Sequence, residues 1–520
     1  MLLWKILILV LLGFISISLS IYEYTLKKKD RKILIIKIFN LTSIILSLSL
    51  FFLYFLADTG IWTNESDLII AIMSVNILFF LICLSVIFYF QIALGHNSIA
   101  IDLKKPSFFA ARQGKIKIGK CCNIRGKKSS FYLSLKDLEK HMFVCGATGS
   151  GKSNFIQNFL LNFSKMYDIP FLIIEFKGEY HFLQKQIEDL IIIKPGENFS
   201  LNIFNPERVN PQIHAERIFD ILKSGNFLDT DVEYSPQMQK VLVDVLTIVC
   251  KNKNLQSWEG FYRYCDLYGK KFQRQIPMLS QTLISIKNRI RRFSIGPLKA
   301  IFERSQELKL KEMFKRKILI DLSSIIRLGV EKADALFFLN LILKYLWDKN
   351  LTRGAFNFDG IKHITIVEDA QYFAPKDLTK QTKLTSYLED IALLQRGTGE
   401  CLISIATHPN ISTEILANCG ALIVFKTHIL KELLCELLNL DGENQNFFSF
   451  LDEGKCIIRV NSINNPFLLT VPHIKRDYLT SNQILTNNKM ALSKKHRFDE
   501  KFNKKKKNKM INETLEKFSR

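Results

Sequence analysis

The sequence predicts an α/β protein: a doubly wound, mainly parallel sheet, interrupted by an all-helical insertion domain and preceded by three transmembrane helices. Three observations carry that expectation. From His141 onward, short runs rich in Ile, Val, Leu and Phe alternate with longer helical stretches, as a parallel sheet buried on both faces requires. One junction in that alternation holds GATGSGKS, residues 146–153, between an apolar strand and a helix. Near the N-terminus, three apolar stretches each reach the roughly 20 residues needed to cross a hydrocarbon core of about 30 Å.

Those stretches run near Leu2 to Ser20, Ile33 to Leu56 and Leu68 to Leu94, so residues 1–95 read as a membrane anchor. KKKDRK (Lys27 to Lys32) separates the first two, whereas ADTGIWTNESD (Ala57 to Asp67) separates the next two without a basic residue. Positive residues stay on the cytoplasmic side, which puts the N-terminus outside and everything after Leu94 inside. A cleaved signal peptide ending near Ser20 is the competing reading of the first stretch. It would send the large C-terminal part outside, away from the nucleotide implied below. Lys37, Asn40 and Asn76 fall within the spans; the lysine is near enough to the cytoplasmic edge to snorkel, and the asparagines can bond between helices.

Residues 96–140 are basic and read as a linker or small β-rich piece. The core opens with HMFVC, continues through IPFLIIEF, and spans 141–204 and 318–480, where KILIDLS, HITIVED, CLISIAT and ALIVFKT supply further strands. Between its halves, residues 205–317 show helical periodicity in SPQMQKVLVDVLTIVC and LISIKNRIRRF. Residues 481–520 are Lys-rich, include KKKKNK, and read as a flexible basic tail, disordered or a frayed helix.

Lys and Arg total 72 against 49 for Asp and Glu in 520 residues, a net charge of +23 that favours anionic partners, nucleic acid or an acidic membrane surface. A solvated basic surface with a positive membrane flank accounts for the same charge. The 10 cysteines are never spaced as CxxC and have no histidine cluster near them, so neither a zinc site nor a redox pair is indicated. No zinc finger or helix-turn-helix is evident, so any DNA contact would run through phosphates, independent of sequence.

The string Gly146, Ala147, Thr148, Gly149, Ser150, Gly151, Lys152, Ser153 fits GxxxxGK[ST] and sits between strand and helix. Its glycines let backbone amides turn around phosphate oxygens, Lys152 brings charge to the outer phosphates, and Ser153 can ligate Mg²⁺. Such a site needs a carboxylate at a neighbouring strand end for the metal shell and another for the attacking water. HITIVEDAQ offers both: Glu368 for the metal and Asp369 for the water. Acidic pairs at strand ends also occur as plain solvated turns.

With these motifs in hand, residues 135–475 resemble the HerA/FtsK-type pumping ATPases, closest in layout to the membrane-anchored coupling proteins of conjugation and type IV secretion. The resemblance rests on LEKHMFVCGATGSGKS, IIEFKGEY, SPQMQKVL, IVEDAQYFAP, LLQRGTGECLISIATHPN and LDEGKCIIRV in that order. It implies a RecA-like P-loop core that binds ATP and Mg²⁺ and assembles as a homo-oligomer, a hexamer. It also implies Glu175 as the acidic position after the second strand, Glu368 and Asp369 as the Walker B pair, Arg396 as the arginine reaching a neighbour's γ-phosphate, and His408 as the polar sensor. Glu175 replaces the usual Asp, the pair reads Glu-Asp where Asp-Glu or Glu-Glu is common, and His408 stands where Gln is common. Arg396 beside Gly397 and Gly399 also reads as a helix cap, and His408 as a satisfied interior histidine. Arg289, Arg291 and Arg292 suit a subunit interface or DNA as well as a solvated face.

The function implied is an inner-membrane ATPase, multi-pass with a cytoplasmic body, that drives DNA or a DNA–protein complex toward a secretion or conjugation pore. Its partners would be that machinery, DNA and membrane lipid. The alternative is a secretion ATPase that moves protein effectors without DNA.

Overall fold

Along each core strand, alternate residues fall into two separate apolar clusters, one on each face of a single sheet. Phe143 and Cys145, Leu172 and Ile174, Ile318 and Ile320 face one way; Met142 and Val144, Phe171 and Ile173, Ile364 and Ile366 face the other. The computed structural model describes residues 103–122, 129–206, 209–224, 235–303, 310–329, 332–353, 360–376 and 383–493. The three apolar N-terminal stretches and the KKKKNK segment lie outside the described residues. Among the described residues, no helix is long and apolar enough to cross a membrane.

In chain order, the elements begin with β1 (Ile116–Cys122), β2 (Ser129–Leu133), β3 (Met142–Cys145), α1 (Lys152–Met166), β4 (Phe171–Glu175) and β5 (Leu190–Ile193). Five helices follow: α2 (Pro211–Ser224), α3 (Pro236–Lys251), α4 (Trp258–Phe272), α5 (Leu279–Ser294) and α6 (Gly296–Glu303). The second half contains β6 (Lys317–Asp321), α7 (Lys332–Arg353), β7 (His363–Val367), α8 (Lys383–Leu394), β8 (Glu400–Ala406), β9 (Ala421–Val424), α9 (Lys431–Leu438), β10 (Lys455–Val460) and β11 (Ile463–Thr470).

Among the described residues, eleven strands form one mixed sheet in the order β2-β1-β11-β10-β9-β3-β8-β7-β4-β6-β5. Seven neighbours, β9 through β5, run parallel, and four strands extend the β9 edge in antiparallel pairing. This agrees with a RecA-like P-loop core. The basic segment, expected as a linker or small β-rich piece, contributes β1 and β2 to this same sheet, because the β10–β11 hairpin offers an open edge that β1 pairs along.

Helices cover both faces. α1 lays Phe155, Ile156, Phe159, Leu160 and Phe163 on one apolar cluster. The insertion packs on the other, with Leu279, Leu283, Ile286, Ile290 and Phe293 of α5 recurring at helical spacing. Its helices start on side-chain caps: Ser235 accepts from the Met238 amide ahead of Pro236, and Ser257 accepts from the Gly260 amide. Of the insert arginines, Arg292 pairs with the buried Asp334 of α7 at 2.5 and 2.7 Å, so its charge is spent inside the fold.

Residues 481–493 are helical, where the sequence reading places a flexible tail. Asn488 explains the difference. Its carboxamide is buried, accepts from the Ile192 amide of β5 and donates to the Ile192 carbonyl, pinning this helix to the sheet edge.

Candidate functional site

The C-terminal ends of β3, β4, β6, β7 and β8 meet at one end of the parallel sheet, where open α/β sheets bind ligands. β8 lies between β3 and β7. The loop after β3 is the Gly146–Ser153 string, and its shape follows from its glycines. Gly146 has φ 155° and Gly151 φ 111°; a Cβ on Gly146 would stand 2.6 Å from the Cβ of Phe425. Gly151 starts α1, and the first amides of that helix, Lys152 and Ser153 among them, have no partner inside it. The result is a concave run of donors at a positive helix end, suited to phosphate.

Lys152 folds back over this loop and donates to the Gly146 and Ala147 carbonyls at 2.6 and 3.0 Å. Burial lowers its pKa, outweighing the pull of Glu368 and Asp369. Ser153 donates to Glu368 Oε1 at 3.3 Å, and the Tyr180 hydroxyl donates to the same oxygen at 2.5 Å. The second oxygen, Oε2, is buried without a hydrogen-bond partner. Burial raises the Glu368 pKa despite those donors. An unpartnered carboxylate oxygen next to a P-loop hydroxyl fits a hard cation such as Mg²⁺, with Ser153 and Glu368 as the residues that would hold it.

Asp369 follows at φ 51°, a left-handed conformation that redirects the chain after β7. Its carboxylate accepts from Gln371 at 3.2 Å and lies 3.7 Å from Lys177 Nζ. Gln371 in turn accepts from the Thr407 amide, linking the end of β7 to the end of β8. His408, half-buried just beyond β8, accepts from the Asn410 amide at 3.3 Å. Arg396 lies on the turn Gln395–Thr398 between α8 and β8; its side chain lies outside the described set.

Glu175 ends β4, fully buried, and its Oε2 accepts three backbone amides, from Lys177, Gly178 and Glu179. Desolvation and the neighbouring Asp321 push its carboxyl up to about 8. Asp321 ends β6 directly beside it in register. Burial opposes its charge, but hydrogen bonds from His181 and Ser323 prevail and hold its pKa below the usual value.

The structure thus brings Lys152, Ser153, Glu368, Asp369 and Glu175 to one end of the sheet. Sequence reasoning missed Tyr180, His181, Asp321 and Gln371. The signals were there in part: the strand KILID ends on an acid as HITIVED does, and Gln371 is in IVEDAQ. Nothing in the linear pattern says that Tyr180 reaches Glu368 across 188 positions.

Compared with known proteins, the chain matches the family model of the helicase HerA central domain over residues 116–361. That span contains the P-loop, Glu175 and Asp321 and ends just before β7. No curated protein matches the sequence. Among solved structures, VirB4 of Thermoanaerobacter pseudethanolicus is similar at a TM-score of 0.52 and 16% identity, over 70% of this chain and 97% of that one. The bacterial conjugative coupling protein TrwB, in a form complexed with sulphate, gives 0.50 at 11% identity, over 74% and 97%. TrwB in complex with the ATP analogue ADPNP gives 0.50 at 11%, over 73% and 95%. At such identities the likeness is one of fold. Over residues 116–361 the chain carries a match to the central domain of the helicase HerA, in agreement with the resemblance of its motifs to the HerA/FtsK-type P-loop ATPases.

Proposed function

We propose that this protein is a membrane-anchored hexameric ATPase that couples ATP hydrolysis to movement of DNA, or of a DNA–protein complex, in a conjugation or type IV secretion system. The observation that carries the ATPase reading is the meeting of Ser153 and Glu368 at 3.3 Å at the mouth of the loop that Lys152 closes. When bound, Mg²⁺ and ATP supply the charge-neutralised phosphoryl group. The chain's own residues do the rest. Backbone amides from Gly149 to Ser153 cradle the phosphates, and Lys152 leaves its loop carbonyls for the outer ones. Glu368 and Ser153 face the cation, and Asp369, held by Gln371 and Lys177, orients water. Arg396, on the turn before β8, acts on a neighbouring subunit's site.

TrwB, solved with an ATP analogue, has the same fold, which supports the nucleotide. The net charge of +23 supports an anionic cargo held through phosphates. The apolar stretches and their flanking charges support an inner-membrane anchor with a cytoplasmic body, in contact with lipid.

ATP turnover by the full chain in detergent, with single-stranded DNA, double-stranded DNA or candidate effector proteins added, tests the reading. DNA should stimulate turnover, and the stimulation should weaken steeply with salt. Stimulation by effectors and not by DNA would replace the cargo; no turnover in any condition would overturn the motor.

A further inference from the structure

Beside the nucleotide site, three side chains from three segments converge: Glu175 at the end of β4, Asp321 at the end of β6, and His181 on the short turn His181–Lys185. One oxygen or nitrogen from each lies within 4.8 Å of the others. His181 Nε2 is 3.0 Å from Asp321 Oδ2 and 3.9 Å from Glu175 Oε1.

Glu175 and Asp321 are both 0% exposed, and buried carboxylates require partners. Asp321 has them: Ser323, His181, and Arg327 at 3.3 Å. Glu175 is satisfied on one side only. Its Oε2 accepts three amides, while Oε1, turned toward His181, is buried with no hydrogen bond. A positively charged ligand between the two carboxylates and the imidazole would answer that vacancy in the bonding.

We propose that Glu175, His181 and Asp321 form a binding site for a divalent transition-metal ion such as Zn²⁺ or Mn²⁺, distinct from the Ser153–Glu368 site. The donor set, one imidazole and two carboxylates, is a common one for such ions, and the imidazole disfavours Mg²⁺ and Ca²⁺. Bond lengths near 2.1 Å in a tetrahedral shell put neighbouring ligand atoms about 3.4 Å apart. The two His181 separations bracket that value, and the remaining pair lies within 4.8 Å. Gly178 caps the group: a Cβ there would stand 3.4 Å from the His181 ring and 3.8 Å from Asp321 Oδ2. The bound ion would tie the ends of β4 and β6 to the segment that carries Tyr180 to Glu368.

Mn²⁺ added to the nucleotide-free, Mg²⁺-free full chain in detergent tests the site by spin resonance. Wild type should hold one tight Mn²⁺ with nitrogen coupling from a histidine. His181→Ala should abolish the coupling, Asp321→Asn, which removes a charged ligand, should weaken binding by more than about tenfold, and Ser153→Ala and Glu368→Gln should leave both unchanged. Those last two variants keep this outcome separate from the fate of the ATPase reading. If His181→Ala does not fold, the wild-type coupling and the weakened binding of Asp321→Asn decide. A wild type that takes up no tight ion, or nitrogen coupling that survives in folded His181→Ala, overturns the proposal.

Discussion

Asp369 and Glu368 are adjacent in sequence yet occupy different surroundings. Glu368 is buried between Ser153 and Tyr180, while Asp369, turned by its left-handed backbone, sits among Lys177, Gln371 and partial solvent. Under the proposed function, that division gives the metal to the first and water to the second. Asp369→Asn should therefore retain ATP binding and lose about 10²- to 10⁴-fold in turnover; normal turnover with a dead Glu368→Gln would reverse the roles. Lys152→Ala should weaken ATP binding roughly ten- to a hundredfold, the worth of one charge-assisted hydrogen bond, measured by titration with a fluorescent analogue. Tyr180→Phe should raise the Mg²⁺ concentration for half-maximal turnover about tenfold, because a donor that orients a metal ligand is lost; an unchanged Mg²⁺ requirement would make the 2.5 Å contact purely structural. Lys152, Ser153, Glu368 and Asp369 were legible in the sequence because each lies in a contiguous motif flanked by an apolar strand. Tyr180, His181 and Asp321 were not, since strand pairing and loop return create their proximity.

Elements tell a similar story. Strands buried on both faces, β3, β4, β6, β7, β8 and β9, announce themselves as apolar runs, and the periodicity of α3 and α5 is equally plain. β10 and β11 were obscured by half-exposed polar positions and by Pro466 within INNPFLLT. The helix at 481–493 was hidden because only Ile484 and Ala491 of its apolar residues are buried, and its tie to the sheet runs through Asn488 between them. The insertion carries its own pH sensitivity through His214 of α2. This ring is buried, with Nε2 2.7 Å from the Ile203 carbonyl and Nδ1 3.3 Å from the Tyr345 hydroxyl, and burial lowers its pKa from 6.5 to about 4. Because the folded value is depressed, the unfolded chain takes up the proton first. The stabilisation is complete above about 6.5 and is lost as pH falls toward 4, amounting to roughly 3 kcal/mol. Thermal midpoints of wild type and His214→Gln should converge as pH drops from 7 toward 4.5; parallel loss in both would place the sensitivity elsewhere.

At the scale of the whole molecule, Arg396 lies before the strand that separates the P-loop strand from the Walker B strand. If it serves a neighbouring site, mixing Arg396→Ala subunits with Lys152→Ala subunits should restore part of the activity that each lacks alone. Mixed oligomers no more active than the sum of the two would confine Arg396 to its own subunit. The same central placement bears on how the protein is made. β3 pairs with β8 on one side and β9 on the other, and these begin about 260 and 280 residues later in the chain. At roughly 5–20 residues per second, the ribosome needs on the order of ten to fifty seconds to supply them. Through that interval the strand that leads into the phosphate loop has emerged without either neighbour, and the polypeptide has no sheet on which to fix that loop. Competence to bind nucleotide thus arrives late in synthesis, and an mRNA truncated before β8 yields chains that expose MFVC and bind no ATP.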